Sequence, residues 1–222
     1  MRAAVVVFPG SNCDRDAQRA IKAAIGVEAR LVWHKESSME NFDLIVLPGG
    51  FSFGDYLRTG AIARYSPVMA EVIRQAKRGA RVLGICNGFQ ILTEAGLLPG
   101  ALLRNQNLLF LSRDVWLRVE NNATAFTRAY GKKQVIRLPI AHGDGNYFID
   151  DEGYKKLEGE GRVVLRYCAS DGSDEAAPNG ARGNIAGIVN ETGNVLGLMP
   201  HPERLTEPIL GGADGRRMFE SL

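Results

Sequence analysis

Gly84-Ile85-Cys86-Asn87-Gly88 stands where the apolar run Arg81 to Ile85 gives way to a helix-like stretch from Asn87 to Ala95. A strand that turns directly into a helix through one residue is a sharp elbow. Small residues two positions either side of Cys86 suit it, because a Cβ at Gly84 or Gly88 would crowd the neighbouring backbone. A cysteine at a helix N-terminus also faces the positive end of the helix dipole and several unpaired N–H groups, which favour thiolate over thiol. Most free cysteines are small buried hydrophobes. The flanking glycines and the abrupt change of element point instead to a nucleophile.

Working outward, short apolar runs alternate with helical patterns through the first half of the chain. Strands are expected at Ala3 to Phe8, Ala29 to Trp33, Leu44 to Leu47 and Arg81 to Ile85, and helices at Asp14 to Ile25, Pro67 to Arg78 and Asn87 to Ala95. Ala17, Ile21 and Ala24 step along one face of the first helix. Such alternation predicts an α/β fold with a parallel sheet covered on both sides. The second half is less regular. Val115 to Glu120, Val135 to Ile140, Val163 to Ala169, Ile185 to Val189 and Val195 to Met199 read as strands, the last two joined through Asn190 to Asn194, whose composition suits a tight hairpin. The sheet is therefore expected to be mixed. Ser170 to Gly183 is polar, Gly-rich and expected to be a surface loop.

Composition narrows the function. With 222 residues and 45% hydrophobic content, the chain suits one large domain, residues 1–222. A formal net charge of +2 is too balanced for a dedicated nucleic-acid binder. Cys13, Cys86 and Cys168 are too few for a disulfide framework, which points to a reducing compartment, the cytoplasm. The apolar run Ala3 to Phe8, followed by Pro9-Gly10, is too short for a secretory core or a membrane span. No phosphate-cradling glycine motif occurs, so ATP use is not expected of this chain.

A cysteine nucleophile needs a base, and His34, His142 and His201 are the available imidazoles. His201 lies in Met199-Pro200-His201-Pro202-Glu203, directly after a predicted strand, and Pro202 biases it towards an extended backbone. His201 and Glu203 then project together, so the carboxylate holds one ring nitrogen while the other faces Cys86. The result is a Cys-His-Glu triad. Metal-ligand spacings such as Cys-x-x-Cys or His-Glu-x-x-His are missing, so no metal is expected. Pro48-Gly49-Gly50-Phe51 follows another predicted strand, and amides of Gly49 or Gly50 with that of Asn87 are candidates for an oxyanion hole. A tight turn is the commoner meaning of Pro-Gly-Gly. Its place at a strand's C-terminal end, beside the nucleophile loop, favours the functional reading.

Gly84 to Gln90 (GICNGFQ) together with Pro200-His201-Pro202-Glu203 resembles the class I glutamine amidotransferases. Four further stretches, Phe8 to Asp14 (FPGSNCD), Pro48 to Arg58 (PGGFSFGDYLR), Pro139 to Gly145 (PIAHGDG) and Asn184 to Arg204, narrow the likeness to the family of glutaminase subunits of phosphoribosylformylglycinamidine synthases. The resemblance implies a three-layer, flavodoxin-like fold. It implies that Cys86 attacks the glutamine side-chain amide, that His201 protonates departing ammonia and that Glu203 orients His201. Water then hydrolyses the thioester to glutamate. Gln90, Phe51 and the loop from Gly49 to Asp55 are expected to hold the substrate. So is Asn107, which stands where the family pattern Asn-x-Ser-x-x-Phe carries serine, leaving that loop's contacts open.

The same likeness implies partners: a large synthetase subunit, which uses ATP and magnesium in purine synthesis, and a small third subunit. No cofactor is implied for this chain. Arg58 is a candidate for the glutamine α-carboxylate, with a surface or interface salt bridge as the equal alternative. His142 is expected in a loop near the partner or in a structural role, and Cys13 and Cys168 as ordinary thiols outside the mechanism. Two rival readings are a free-standing cysteine hydrolase and a non-catalytic binding module. Asn87 after the nucleophile opposes the first, and three triad residue types together oppose the second.

Overall fold

The structure, a computed structural model, describes residues 1–222. In chain order the elements are β1 (Ala3–Val7), α1 (Asp14–Ile25), β2 (Arg30–Trp33), β3 (Leu44–Leu47), α2 (Pro67–Lys77), β4 (Arg81–Ile85) and α3 (Asn87–Glu94). There follow β5 (Ala101–Leu103), β6 (Leu111–Val119), β7 (Val135–His142), β8 (Asn146–Phe148), α4 (Asp151–Gly159), β9 (Val163–Cys168), β10 (Ile185–Val189), β11 (Val195–Leu198) and α5 (Arg216–Glu220).

Nine strands form one mixed sheet in the order β2-β1-β3-β4-β11-β10-β9-β6-β7, while β5 pairs with β8 in a small separate ladder. The ladders from β2 to β11 are parallel and those beyond β11 are antiparallel. The unit β1-α1-β2 runs towards one edge of the sheet and β3-α2-β4 towards the other. Right-handed crossovers therefore place α1 and α2 on opposite faces. With both faces covered, β3, β10 and β11 are buried along their whole length, and β4 is buried from Val82 to Ile85, so these strands read as continuous apolar runs. Their side chains belong to one core of 56 buried residues, in which each large aliphatic group contributes about 1.5 to 3 kcal/mol.

Strand order decides where the chemistry sits. β3, β4 and β11 are parallel neighbours, with Leu47 opposite Gly84 and Leu198 opposite Ile85. The segments that follow them, Pro48 to Phe51, Cys86 and Met199 to Glu203, thus emerge side by side at one end of the sheet. The loop after β1, carrying Asn12 and Cys13, emerges there too, and Ser11 makes an isolated bridge with Gly50.

Several predicted elements match closely. The hairpin at Asn190 to Asn194 joins β10 to β11, closed by Asn190 N–H to Val195 O at 3.0 Å and by Val195 N–H to the Asn190 side chain at 3.0 Å. Helix α1 ends at Gly26, whose left-handed backbone (φ 69°) lets its N–H reach Lys22 O. Helix α4 has no counterpart in the sequence reading. Leu157 is its sole buried residue, so it shows little apolar periodicity, and it starts from a side-chain cap, Asp150 accepting Gly153 N–H.

Candidate active site

Cys86 sits at the N-cap of α3 with φ 50° and ψ −104°, a left-handed-side backbone that a residue with a Cβ adopts at a cost of about 1 to 3 kcal/mol. The predicted glycine requirement holds. A Cβ on Gly88 would lie 2.0 Å from Leu47 O, and one on Gly84 would lie 2.7 Å from Gly88 O. Cys86 itself is buried, and its sulfur is 3.6 Å from Ala141 O.

His201 and Glu203 are both buried, with Nδ1 2.6 Å from Oε1. His201 Nε2 and Glu203 Oε2 have no hydrogen-bond partner. Burial opposes protonation of this imidazole, yet Glu203 above all, then Cys86 and Cys13, hold its pKa well above the usual histidine value. The ring is anchored through its backbone as well, since His201 N–H donates to Pro139 O at 2.8 Å. Although β7 is the far edge of the sheet order, its end therefore folds back over the strand termini. That strand brings Ala141, the neighbour of His142, against the cysteine.

The backbone amides of Gly49, Gly50 and Asn87 donate no hydrogen bond within the chain. Asn87 is held by its side chain, which accepts Ser52 N–H at 3.2 Å and donates to Gln90 Oε1 at 2.8 Å. Gln90 is buried and donates in turn to Asp144 O at 2.7 Å, which fixes the loop after β7. Phe51 is partly exposed, with its ring 6.3 Å from that of Phe110. Both line a cavity of about 180 Å³ that also reaches His201, Ala141, Cys13 and Arg204.

Asn107 lies exposed in its loop, its side chain accepting Leu109 N–H at 3.1 Å. The organiser of that loop is a residue the sequence reading did not single out, Asn105. Fully buried, it donates to Leu109 O and His142 O and accepts from Gly145 N–H and His142 Nδ1. Because its amide nitrogen faces two carbonyls, its oxygen faces the His142 ring, so neutral His142 carries its proton on Nδ1. Burial, and then the charge of His201, push the His142 pKa down to about 4. His142 is thus a buried imidazole at the end of β7, bonded as the structural alternative expects.

Of two further readings, one alternative is met and one expectation needs correction. Arg58 makes a two-pronged ion pair with Glu94, at 2.6 and 2.7 Å, so the surface salt bridge is the reading that holds. Cys13 does not stand apart from the site. It is buried, its sulfur accepts an Arg204 N–H at 2.8 Å, and its backbone N–H donates to Gly49 O at 3.3 Å. Cys13, His201 and Glu203 each bring one ligand-type atom to within 4.8 Å of the others. A cation bound there would meet the Arg204 guanidinium on the sulfur, which makes this a poor metal centre. Cys168, by contrast, is a buried thiol whose pKa is raised by burial, as expected of a residue outside the chemistry.

Asp55 is half-buried in a strained loop in which Phe53, Asp55 and Leu57 all have positive φ. Burial, and then the nearby charge of Asp144, raise its pKa to about 6. No helix is long and apolar enough to cross a membrane.

Residues 1–212 match the family described as the CobB/CobQ-like glutamine amidotransferase domain. The chain is 56% identical over 223 residues to phosphoribosylformylglycinamidine synthase subunit PurQ of Salinibacter ruber, covering 100% of this chain and 95% of the relative. It is also 56% identical over 224 residues to the subunit of the same name in Gloeobacter violaceus, covering 100% and 97%. Among solved structures it superposes on a chain of PurLQS from Thermotoga maritima with a TM-score of 0.87 and 49% identity, covering 99% of this chain and 96% of that one.

Proposed function

The chain belongs to the CobB/CobQ-like glutamine amidotransferase family, and from that premise we propose that it is the glutaminase subunit of a phosphoribosylformylglycinamidine synthase, with Cys86, His201 and Glu203 as its catalytic triad. One observation carries the reading. The buried His201–Glu203 pair leaves Nε2 without a partner beside a strained cysteine elbow, at the sheet end where the amides of Gly49, Gly50 and Asn87 are also unpaired.

In the proposed reaction Cys86 Sγ attacks the carbonyl carbon of the glutamine side-chain amide, its proton passing to His201. The oxygen gains negative charge and is met by the free amides, each donor contributing about 3 to 4 kcal/mol to the transition state. His201, held charged by Glu203, returns the proton to nitrogen as the C–N bond breaks and ammonia departs. Water, deprotonated by the same imidazole, then splits the thioester and releases glutamate. Gln90, Phe51 and the Gly49–Asp55 loop form the near wall of the glutamine site. Asn107 shapes its rim through the turn it makes at Leu109.

The relatives' names and the PurLQS assembly support two partners for this chain, a large synthetase subunit and a small third one. ATP and magnesium belong on the synthetase, where ammonia is used to convert formylglycinamide ribonucleotide to its amidine in de novo purine biosynthesis. Residues 1–222 act as a single domain, in the cytoplasm. Ammonia passes between subunits without entering bulk water, where it would be mostly protonated and a poor nucleophile, so glutamine hydrolysis is slow until the partner docks. The test is labelling of the assembled synthase by an electrophilic glutamine analogue, with peptide mapping. Modified Cys86 and loss of glutamine-dependent synthesis are expected. An unlabelled Cys86 in folded, assembled enzyme overturns the reading.

A further inference from the structure

Arg204 is a partly buried cation with no carboxylate in ion-pair range, and the one hydrogen bond from its guanidinium goes to the sulfur of Cys13, 191 positions earlier in the chain. A guanidinium normally takes an oxygen acceptor, so a sulfur in that place calls for a reason. Cys13 is the N-cap residue of α1, and Arg204 ends the short turn Pro202–Arg204 that directly follows His201. Their contact ties the turn carrying the imidazole and its carboxylate to the helix on the other side of the site. Gly49 fills the space between. A Cβ there would lie 2.6 Å from His201 Cε1 and 3.2 Å from Cys13 Sγ, so ring, glycine and sulfur are packed without slack.

We propose that Cys13, gripped by Arg204, is a positioning residue for glutamine hydrolysis that fixes the His201 ring between Gly49 and the nucleophile. The inference rests on the reading of Cys86, His201 and Glu203 as the triad. Cys13 reaches no reacting atom; it acts through His201, whose charged form it stabilises after Glu203 and Cys86. Arg204, which also feels the charge of Asp16, and His142 are further ionisable groups around the ring, and His142 is neutral near neutral pH. A misplaced imidazole slows the proton transfers and leaves glutamine binding intact.

The experiment uses the assembled synthase and follows glutamate release in Cys13→Ala, Cys13→Val, Cys13→Ser and Arg204→Met. Alanine and valine at position 13, and methionine at 204, are expected to lower kcat about tenfold while KM for glutamine stays within about twofold. Serine, which keeps a group able to accept the guanidinium N–H, is expected to recover most of the rate. Cys13→Ala combined with Arg204→Met is expected to be no slower than either alone, since one contact is lost in each. Synthesis from added ammonia reports folding and assembly and stays at the wild-type rate. Valine rescuing as well as serine would show a packing role and overturn the proposal. So would an unchanged kcat in the alanine and Arg204→Met variants, an effect confined to KM, or a parallel loss of ammonia-dependent synthesis. Analogue labelling in the same preparations separates the two readings: an unlabelled Cys86 defeats the triad assignment, whereas a labelled Cys86 with kcat untouched defeats the Cys13–Arg204 pair alone.

Discussion

Gly88 packs its Cα so closely against the carbonyl of Leu47 that a Cβ there would stand 2.0 Å from that oxygen. The contact joins the helix that begins at the nucleophile to the strand that ends at the Gly49–Gly50 loop. Neither side can give way, because both atoms belong to buried backbone. Gly88→Ala is therefore expected to lower unfolding free energy by about 3 kcal/mol or more, measured by urea denaturation. Glutaminase activity falls with it, since the shift separates Cys86 from the amides opposite.

Cys86→Ala removes one sulfur from the edge of the core and keeps the backbone elbow, and the outcome splits two activities. Glutamine-dependent synthesis in the complex is expected to vanish, while synthesis from added ammonia survives. Both are read in one assay by exchanging the nitrogen donor. Loss of the two together would assign Cys86 to assembly and not to chemistry.

Glu203→Gln keeps the shape of the side chain and removes the charge that most strongly favours protonated His201. The imidazole's proton affinity then drops, because burial is no longer offset by a carboxylate 2.6 Å away. The predicted result is a fall in glutaminase kcat of about a hundredfold or more, with little change in KM. In a pH profile, the transition assigned to His201 should move towards lower pH. An unmoved profile would deny the pair its role.

The sheet-end loops were legible because each functional segment follows a run of continuous apolar residues. Pro48 to Gly50 follows β3, Cys86 follows β4 and His201 follows β11. Local pattern fixes such places, and parallel neighbours bring them together. What stayed hidden depends on contacts with no local trace. Cys13 meets Arg204 across nearly the whole chain, and Asn105 meets His142 and Gly145 across about forty residues. Glu94 captures Arg58 from the end of α3, which no reading of the Pro48 to Arg58 motif alone reveals. One signal was available for Cys13. It follows β1, which abuts β3 in the sheet, and the strand order of the flavodoxin-like fold that the resemblance implies would already have set it beside Gly49.

Asn105→Ala strips four hydrogen bonds from the segments that flank the site, two donated to carbonyls and two accepted. Buried partners left unsatisfied cost about 1 to 3 kcal/mol each before relaxation, so a net loss of about 2 to 4 kcal/mol is expected on thermal unfolding. The functional effect should fall mainly on KM for glutamine, since Phe110 and the turn at Leu109 lose their anchor while the triad keeps its own. An unchanged KM would detach this loop from the substrate.

Asp55 makes stability depend on pH with a sign opposite to that of most carboxylates. Its pKa of about 6 in the folded chain lies above the ordinary aspartate value, through burial first and Asp144 second. Between about pH 4 and pH 6 the native state holds a proton that the unfolded state has released, so this group's contribution falls as pH rises through that window. Above pH 6 the carboxylate is ionised in a half-buried loop beside Asp144, and the full penalty is present. Asp55→Asn removes it. Discounted for solvent screening of a half-exposed carboxyl, the variant should be about 1 kcal/mol more stable than the parent at pH 8 and no more stable at pH 4. Melting temperatures of the two proteins at both pH values check the sign, and a stabilisation of equal size at pH 4 and pH 8 would trace the gain to something other than the charge.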